Sequence, residues 1–186
     1  MFTFSDRKSG SFTNSKRCGN RFQSNKPKLL LNIHIIAVGK LKRGPELALV
    51  DDYVGRLEKS GRSLGFGPVK VTEVEDKRGG GMAAEAQLLR KALPTDAVTV
   101  CLDERGKLLD SIDFSKKMSA WRDGGTRDLA FLIGGADGLA PELRQGADFA
   151  LSFGKMVWPH MLVRVMLSEQ LYRAISILGN APYHRA

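Results

Sequence analysis

Several familiar kinds of catalytic and binding motif are absent from this 186-residue sequence. It has two cysteines and three histidines, and neither cysteine is spaced from another as in a metal site. The motifs G-x-S-x-G, H-E-x-x-H and C-x-x-C do not occur, and no glycine-rich stretch carries the lysine and hydroxyl of a triphosphate-binding loop. The simplest interpretation is a reduced, cytosolic protein without zinc, another metal or a disulfide.

Long apolar runs are also missing. No stretch approaches the roughly 18 consecutive apolar residues that a membrane helix requires. The start of the chain has no apolar segment of the kind found in a secretory signal. We therefore expect a soluble, cytoplasmic protein without a membrane partner.

Acidic residues are scarce at the start of the chain. Residues 1–28 hold seven Lys or Arg and a single acid, Asp6, so they carry +6 of the formal +9 and leave +3 for residues 29–186. Their Ser, Asn, Lys and Arg bury too little apolar surface to offset the entropy of ordering, which predicts a disordered basic extension over residues 1–30. The composition also resembles an organellar transit peptide. The mildly basic remainder permits a nucleic-acid partner without requiring one.

From residue 29 onward, segments typical of strands alternate with segments typical of helices. This alternation predicts an α/β fold, a mostly parallel sheet flanked by helices on both faces, within one domain over residues 31–186. The predicted strands, some with the loop that follows, are 31–40, 68–76, 97–106, 129–138 and 149–158, and the predicted helices are 45–61, 79–94, 113–125, 140–147 and 159–180.

Three loops are expected at the carboxyl ends of the strands, where sheets of this kind bind ligands. The first, LDERG, looks like a solvated turn despite its carboxylate pair, Asp103 and Glu104. The glycines of the second, IGGADG, suit either a turn that needs positive φ, which the stretch alone favours, or a close approach to a ligand. The third, FGKMVW, is too apolar for a free surface loop. It either fills the core or forms the wall of a pocket for a flat ligand such as adenine.

Two of the histidines lie within predicted elements. His34 falls in an alternating strand, where a hydrogen-bonded structural imidazole is the favoured interpretation. His160 begins a helix, where it either caps the helix or supplies a polar group to the pocket.

Three stretches together resemble the bacterial ribosomal RNA large-subunit methyltransferase H family. They are IIAVGKLK, FLIGGADGL and LSFGKMVWPHMLVRVMLSEQLYRAISILGNAPYHRA, and the resemblance runs from about residue 31 to the end. The family belongs to the SPOUT class of α/β-knot methyltransferases. The resemblance implies transfer of a methyl group from S-adenosylmethionine to N3 of a pseudouridine in large-subunit (23S) rRNA. It also implies a C-terminal deep trefoil knot and a homodimer.

The resemblance further implies a set of cofactor residues. Leu102 matches the family's leucine at the end of the third strand, and Gly134 matches its first loop glycine. On this interpretation the glycines admit close backbone approach and the apolar loop forms the adenine wall. The family's cofactor loop is matched by Phe153, Gly154, Lys155, Met156, Val157 and Trp158.

The last residues of the chain include Tyr183, His184 and Arg185. The resemblance implies that this tail lies near the partner subunit's cofactor pocket. There Tyr183 would stack on or hydrogen-bond an extruded base, His184 would orient it or accept a proton, and Arg185 would hold phosphate. Simple packing of the helix end is the alternative. His160 is a weaker catalytic candidate.

The chemistry of the reaction adds one requirement. N3 of a uracil ring carries hydrogen, so a base or a positive charge that stabilises the anion is expected. The sequence does not identify that group, and catalysis by positioning alone is an alternative.

Other interpretations stay open. A non-catalytic ribosome-binding or assembly factor would use the same scaffold, although the intact cofactor loop argues against it. Related enzymes act on transfer RNA, but a chain without an added RNA-binding domain favours a substrate whose surroundings supply contacts, such as an assembled ribosome.

Leu31 falls where family members begin with Met, so residues 1–30 would be translated upstream sequence or a gene-start artefact. The helix over 160–178 is more apolar than one face needs, which predicts a second packing surface against a partner.

Overall fold

The computed structural model describes residues 30–183. Residues 1–29 of the extension that the sequence predicts to be disordered lie outside the described residues, as do His184 and Arg185, so that extension and the roles of those two residues stay predictions. Strands and helices alternate along the described chain, as the sequence predicts. The strands are β1 (Leu31–Val38), β2 (Phe66–Val74), β3 (Val98–Leu108), β4 (Asp128–Ile133) and β5 (Phe149–Ser152), and the helices are α1 (Pro45–Gly61), α2 (Gly81–Ala92), α3 (Ser111–Asp123), α4 (Pro141–Gln145) and α5 (His160–Leu178).

The strands form one sheet in the order β2-β1-β4-β3-β5, and every pair is parallel. Consequently all five carboxyl ends lie at the same edge, hereafter the carboxyl edge. Successive residues of β1 enter two different core clusters, since Ile35 packs with one and Ile36 with the other. Helices α1, α3 and α5 cover the first face, and α2 and α4 cover the second. The predicted α/β architecture with helices on both faces is confirmed, whereas the knot and the domain boundary at residue 31 stay predictions.

Local chemistry accounts for where the longer helices begin and end. Pro45 begins α1, where its missing N–H costs nothing. Asp110 caps α3 by accepting a hydrogen bond from the Asp113 backbone N–H at 2.7 Å. Gly179 and then Asn180, with φ of 50°, end α5. None of the helices within residues 30–183 has the length and hydropathy needed to cross a membrane.

Strand β3 differs from the prediction of a strand followed by a polar turn. It continues to Leu108, and both Leu102 and Lys107 pair with Leu151 of β5, so residues 103–106 form a bulge. Gly106 makes the bulge possible, because a Cβ there would lie 2.7 Å from the carbonyl carbon of Leu151.

Candidate functional site

A cavity of about 640 Å³ opens at the carboxyl edge, between the ends of β3, β4 and β5 and the start of α5. The three loops that the sequence predicts at this edge form its walls. Lys155 lies in the same stretch of chain but does not line the cavity. The other predicted cofactor residues do line it, together with the catalytic candidate His160: Leu102, Gly134, Phe153, Gly154, Met156, Val157 and Trp158. Their binding of a cofactor stays a prediction.

The apolar loop before α5 is at the mouth of this cavity. Met156, Val157 and Trp158 are 70%, 82% and 39% exposed, so the alternative that they fill the core is wrong. Adjacent apolar side chains left in water mark a surface that contacts a ligand or a partner. The cavity volume also falls in the range of about 300 to 1,000 Å³ that is usual for small-molecule sites.

The glycine loop after β4 folds back on itself. A Cβ at Gly134 would lie 2.4 Å from the carbonyl carbon of Gly138 and 2.8 Å from the Leu139 nitrogen. Gly138 has φ of 82°, which confirms the interpretation as a turn that needs positive φ. Gly134 is therefore required by the backbone of its own loop, whether or not a ligand also approaches it.

A buried carboxylate at the bulge of β3 organises two arginines. The Asp103 side chain accepts hydrogen bonds from Arg105 Nε at 3.0 Å and from Arg144 Nη1 at 3.1 Å. Burial acts to raise the pKa of Asp103, but hydrogen bonds from Arg105 and Arg144 outweigh it and hold that pKa below its ordinary value. Asp103 is thus ionised. Because its carboxylate is buried, the prediction that Asp103 and Glu104 form a solvated turn is wrong for Asp103.

Arg105 is the residue of this group that sequence reasoning overlooked. Its side chain is 63% exposed and lines the cavity, while Asp103 fixes the direction of its guanidinium. The available signal was its position, because DERG directly follows a buried strand at the carboxyl edge. Only the bulge, which depends on pairing with β5, turns this cation towards the cavity.

The two histidines within the described chain have different roles. His34 Nε2 lies 2.8 Å from Asp128 Oδ1, which confirms a structural imidazole. His160 makes no capping hydrogen bond and lines the cavity, so the capping interpretation is wrong. Burial lowers the pKa of His160, and the positive charge of Arg164 lowers it further. The His160 imidazole is therefore neutral near pH 7.

Tyr183 packs against its own chain and does not line its own cavity. Its ring centroid lies 4.7 Å from that of Tyr172, and its hydroxyl donates to Glu169 Oε1 at 3.1 Å. Burial raises the pKa of Tyr183, and contacts with Tyr53 and Glu169 raise it further, so the phenol stays protonated. Within one subunit the tail thus shows helix-end packing. Its action on a partner stays a prediction.

A second opening, hereafter the helical groove, has a volume of about 570 Å³ and lies among α1, α3, α5 and the end of β3. Leu49 and Leu108, both substantially exposed, lie on its walls with Val165 and Met166 of α5. Val165 and Met166 are half-buried there, and the packing of α5 on a partner stays a prediction. In the part of the chain that the structure describes, no three His, Cys, Asp or Glu side chains are grouped to hold a metal.

Comparisons with known proteins place the chain among methyltransferases. Residues 31–184 match a family model described as "Predicted SPOUT methyltransferase". A protein of Ruegeria sp. (strain TM1040) named Ribosomal RNA large subunit methyltransferase H is 61% identical over 155 residues, which cover 83% of this chain and 99% of that protein. The protein of the same name from Ruegeria pomeroyi is 62% identical with the same coverage.

The chain also resembles solved structures of lower sequence identity. The SpoU methyltransferase AviRb from Streptomyces viridochromogenes, in complex with the cofactor AdoMet, is 18% identical. Its TM-score is 0.36, over 83% of this chain and 60% of that one. A similarity of this size carries no argument about the site.

Proposed function

The chain belongs to the SPOUT methyltransferase family, and from that premise we propose that it methylates N3 of a pseudouridine in large-subunit ribosomal RNA. It is an S-adenosylmethionine-dependent methyltransferase. The observation that carries the assignment of its active site is the exposed apolar loop at the mouth of the carboxyl-edge cavity. The ribosomal substrate is supported by the shared identity with relatives of that name, and it implies action in the cytoplasm.

The residues around the cavity fit S-adenosylmethionine. Its adenine is flat and apolar on both faces, which suits the wall formed by Met156, Val157 and Trp158. It carries a positive sulfonium and no phosphate, and the cavity offers the carboxylate of Asp137, beside that of Glu104 paired with Arg105, and no phosphate loop. When bound, the cofactor supplies an electrophilic methyl group. We propose that the predicted cofactor residues other than Lys155 hold it, because Lys155 does not line the cavity.

The substrate's proton sets the remaining chemical demand. N3 of the pseudouridine is a poor nucleophile until its hydrogen leaves, and the resulting anion needs nearby positive charge. His160 is neutral, but its lowered pKa makes it a weak base. Arg105 presents a fixed cation at the cavity mouth, so we assign to it the stabilisation of the anion. The carboxylates of Asp103 and Glu104, at 3.0 and 3.1 Å from Arg105 Nε, orient that cation.

We propose a homodimer that is formed through the helical groove. Helix α5 supplies one wall of the groove, and the exposed side chains of Leu49 and Leu108 on the other walls gain a partner when two copies meet. Tyr53 and Glu169 line the groove and also contact Tyr183, so the described end of the chain lies beside this surface. That position supports delivery of His184 and Arg185 to the partner subunit's cavity.

Complementation between subunits tests the shared site. One subunit is cut after Ala181, and the other carries Val157→Asp in its cofactor loop. Val157 is preferable to Gly134 as the cofactor-loop variant, since it is exposed and a side chain at Gly134 would meet backbone. At an S-adenosylmethionine concentration near the wild-type dissociation constant, neither homodimer should methylate large subunits from a strain that lacks the enzyme to a substantial extent. In the mixed dimer one cavity has an intact loop and receives an intact tail.

The readout is methyl transfer from labelled S-adenosylmethionine, with mass mapping of the modified nucleotide. Activity that returns on mixing supports the shared site. Confirmed subunit exchange without any return of activity would leave the tail as local packing. A full-length enzyme that places no methyl group on N3 of a large-subunit pseudouridine would overturn the proposed reaction itself.

A further inference from the structure

We infer that the loop between β1 and α1, residues 39–44, binds the phosphate backbone of the RNA substrate beside the cofactor cavity. This inference rests on the proposed function. The loop has the sequence GKLKRG, and no acidic residue occurs between residue 31 and Glu46. Lys40, Lys42 and Arg43 thus bring three positive charges to a short stretch, as many as the net charge of residues 29–186.

The basic loop lies next to the cavity. It follows the carboxyl end of β1, which is parallel to β4, so both strands end at the same edge. A Cβ on Gly39 would lie 3.5 Å from His160 Nε2, and His160 lines the cavity. A nucleotide that enters the cavity would therefore carry its neighbouring phosphates past this loop.

The three cations are available for a ligand. All are exposed, and within residues 30–183 none of them forms an ion pair. The nearby carboxylates are largely engaged: Glu73 pairs with Arg164, and Asp76 accepts hydrogen bonds from the backbone N–H groups of Arg78 and Gly80. Glu46 lies in the first turn of α1, and Lys77 and Arg78 directly follow Glu75 and Asp76 after β2.

A buried arginine holds the backbone of this loop. Arg164 of α5 is completely buried, and it donates from Nη2 to the carbonyls of Val38 and Gly39 and from Nη1 to Glu73 Oε1 at 2.8 Å. The same Glu73 oxygen accepts from the Leu41 backbone N–H at 2.7 Å. The residues on both sides of Lys40 are thereby fixed. A loop that is ordered before binding loses less entropy when it meets its ligand.

The chemistry of the loop favours phosphate over bases. Lysine and arginine neutralise phosphates regardless of sequence, whereas base recognition in single strands uses aromatic stacking. Residues 39–44 contain no aromatic ring. The loop would therefore contribute affinity and position, and base selection would remain with the cavity.

A matched pair of triple variants tests the inference. The test variant is Lys40→Ala, Lys42→Ala and Arg43→Ala. The control removes the same charge from exposed cations near the opposite edge of the sheet, in the last turns of α1 and α2: Lys59→Ala, Arg90→Ala and Lys91→Ala. Methylation of large ribosomal subunits is measured over a range of salt concentrations, together with the affinity of each protein for S-adenosylmethionine.

We expect the loop variant to raise KM for the ribosomal substrate by about tenfold or more, and to lower the salt slope of binding by about 2 to 3. Its affinity for S-adenosylmethionine should equal that of the wild type, and the control should behave as wild type in both assays. Equal KM and salt slope in the two triple variants would overturn the inference. Because the wild-type enzyme is assayed first on the same subunits, a failure of the proposed reaction is distinguished from a failure of the loop to bind.

Discussion

The carboxyl-edge cavity and the helical groove are openings of similar size that differ in what forms their walls. Their volumes are about 640 and 570 Å³, and Leu151 and Phe153 line both of them. The cavity is built from loop backbone, glycines and an arginine held by a buried carboxylate. The groove is built largely from side chains on helices and holds no glycine. Volume alone does not indicate the occupant: backbone walls suit a small ligand, whereas an apolar helical surface suits another copy of the chain.

The largest expected effect tests whether the cavity depends on its loop backbone. Gly134→Ala should lower the free energy of unfolding by about 3 kcal/mol or more, since the new Cβ would overlap the backbone of Gly138. Gly135→Ala is the matched control, because the nearest atoms to its Cβ would be the end of the Glu85 side chain, which can rotate away, and not backbone. Urea unfolding measures both. A similar loss in the two variants would show that the Gly134–Gly138 contact is not what the loop requires.

Dimerisation through the groove should depend on apolar side chains, whereas the cavity depends on its loop backbone. Leu49→Asp combined with Leu108→Asp places charge in the surface that we propose to be buried between subunits. We expect the dimer dissociation constant to rise by about 100-fold, equivalent to about 3 kcal/mol. Sedimentation measures the change, with Val157→Asp as the control that keeps the dimer. A double variant that stays dimeric at wild-type affinity would show that the groove is not the interface.

Val157→Asp in the cavity loop is the reciprocal change. A charge beside the adenine face removes an apolar contact of about 2 kcal/mol, so the dissociation constant for S-adenosylmethionine should rise by about 30-fold. The fold should be unaffected, because Val157 is among the most exposed apolar residues. Calorimetry measures the affinity. Unchanged binding would contradict the assignment of this loop as the cofactor wall.

The smallest expected effect concerns pH at the border of the cavity and α5. Burial and Arg164 hold the pKa of His160 below its ordinary value of 6.5. As the pH falls through 6.5, the unfolded chain takes up this proton before the native state does. The free energy of unfolding therefore decreases until the pH reaches the native pKa. In His160→Gln the free energy of unfolding should depend less steeply on pH just below 6.5. Identical slopes in the two proteins would show that His160 is not the group responsible.

Much of the fold was predictable because it follows from local chemistry. The alternation of apolar strands with amphipathic helices predicts a parallel sheet, and α1 begins and ends where Pro45 and Gly61 predict. The carboxyl-edge site was also predictable, since parallel strands bring their following loops together. A hydrogen bond of the His34 imidazole could be expected from its position in a strand, although its partner Asp128 is distant in sequence.

The sequence by itself determined the architecture, the edge that holds the cavity and the apolar character of the loop over it. Only the tertiary structure decided that Asp103 is buried between two arginines, that Gly134 lies against the backbone of Gly138 and that Tyr183 donates a hydrogen bond to Glu169 of its own chain. Burial and pairing of a side chain depend on residues far away in sequence, such as Leu151 opposite the β3 bulge. Periodicity reports which face of an element is apolar, whereas the strand register decides which side chains meet across it.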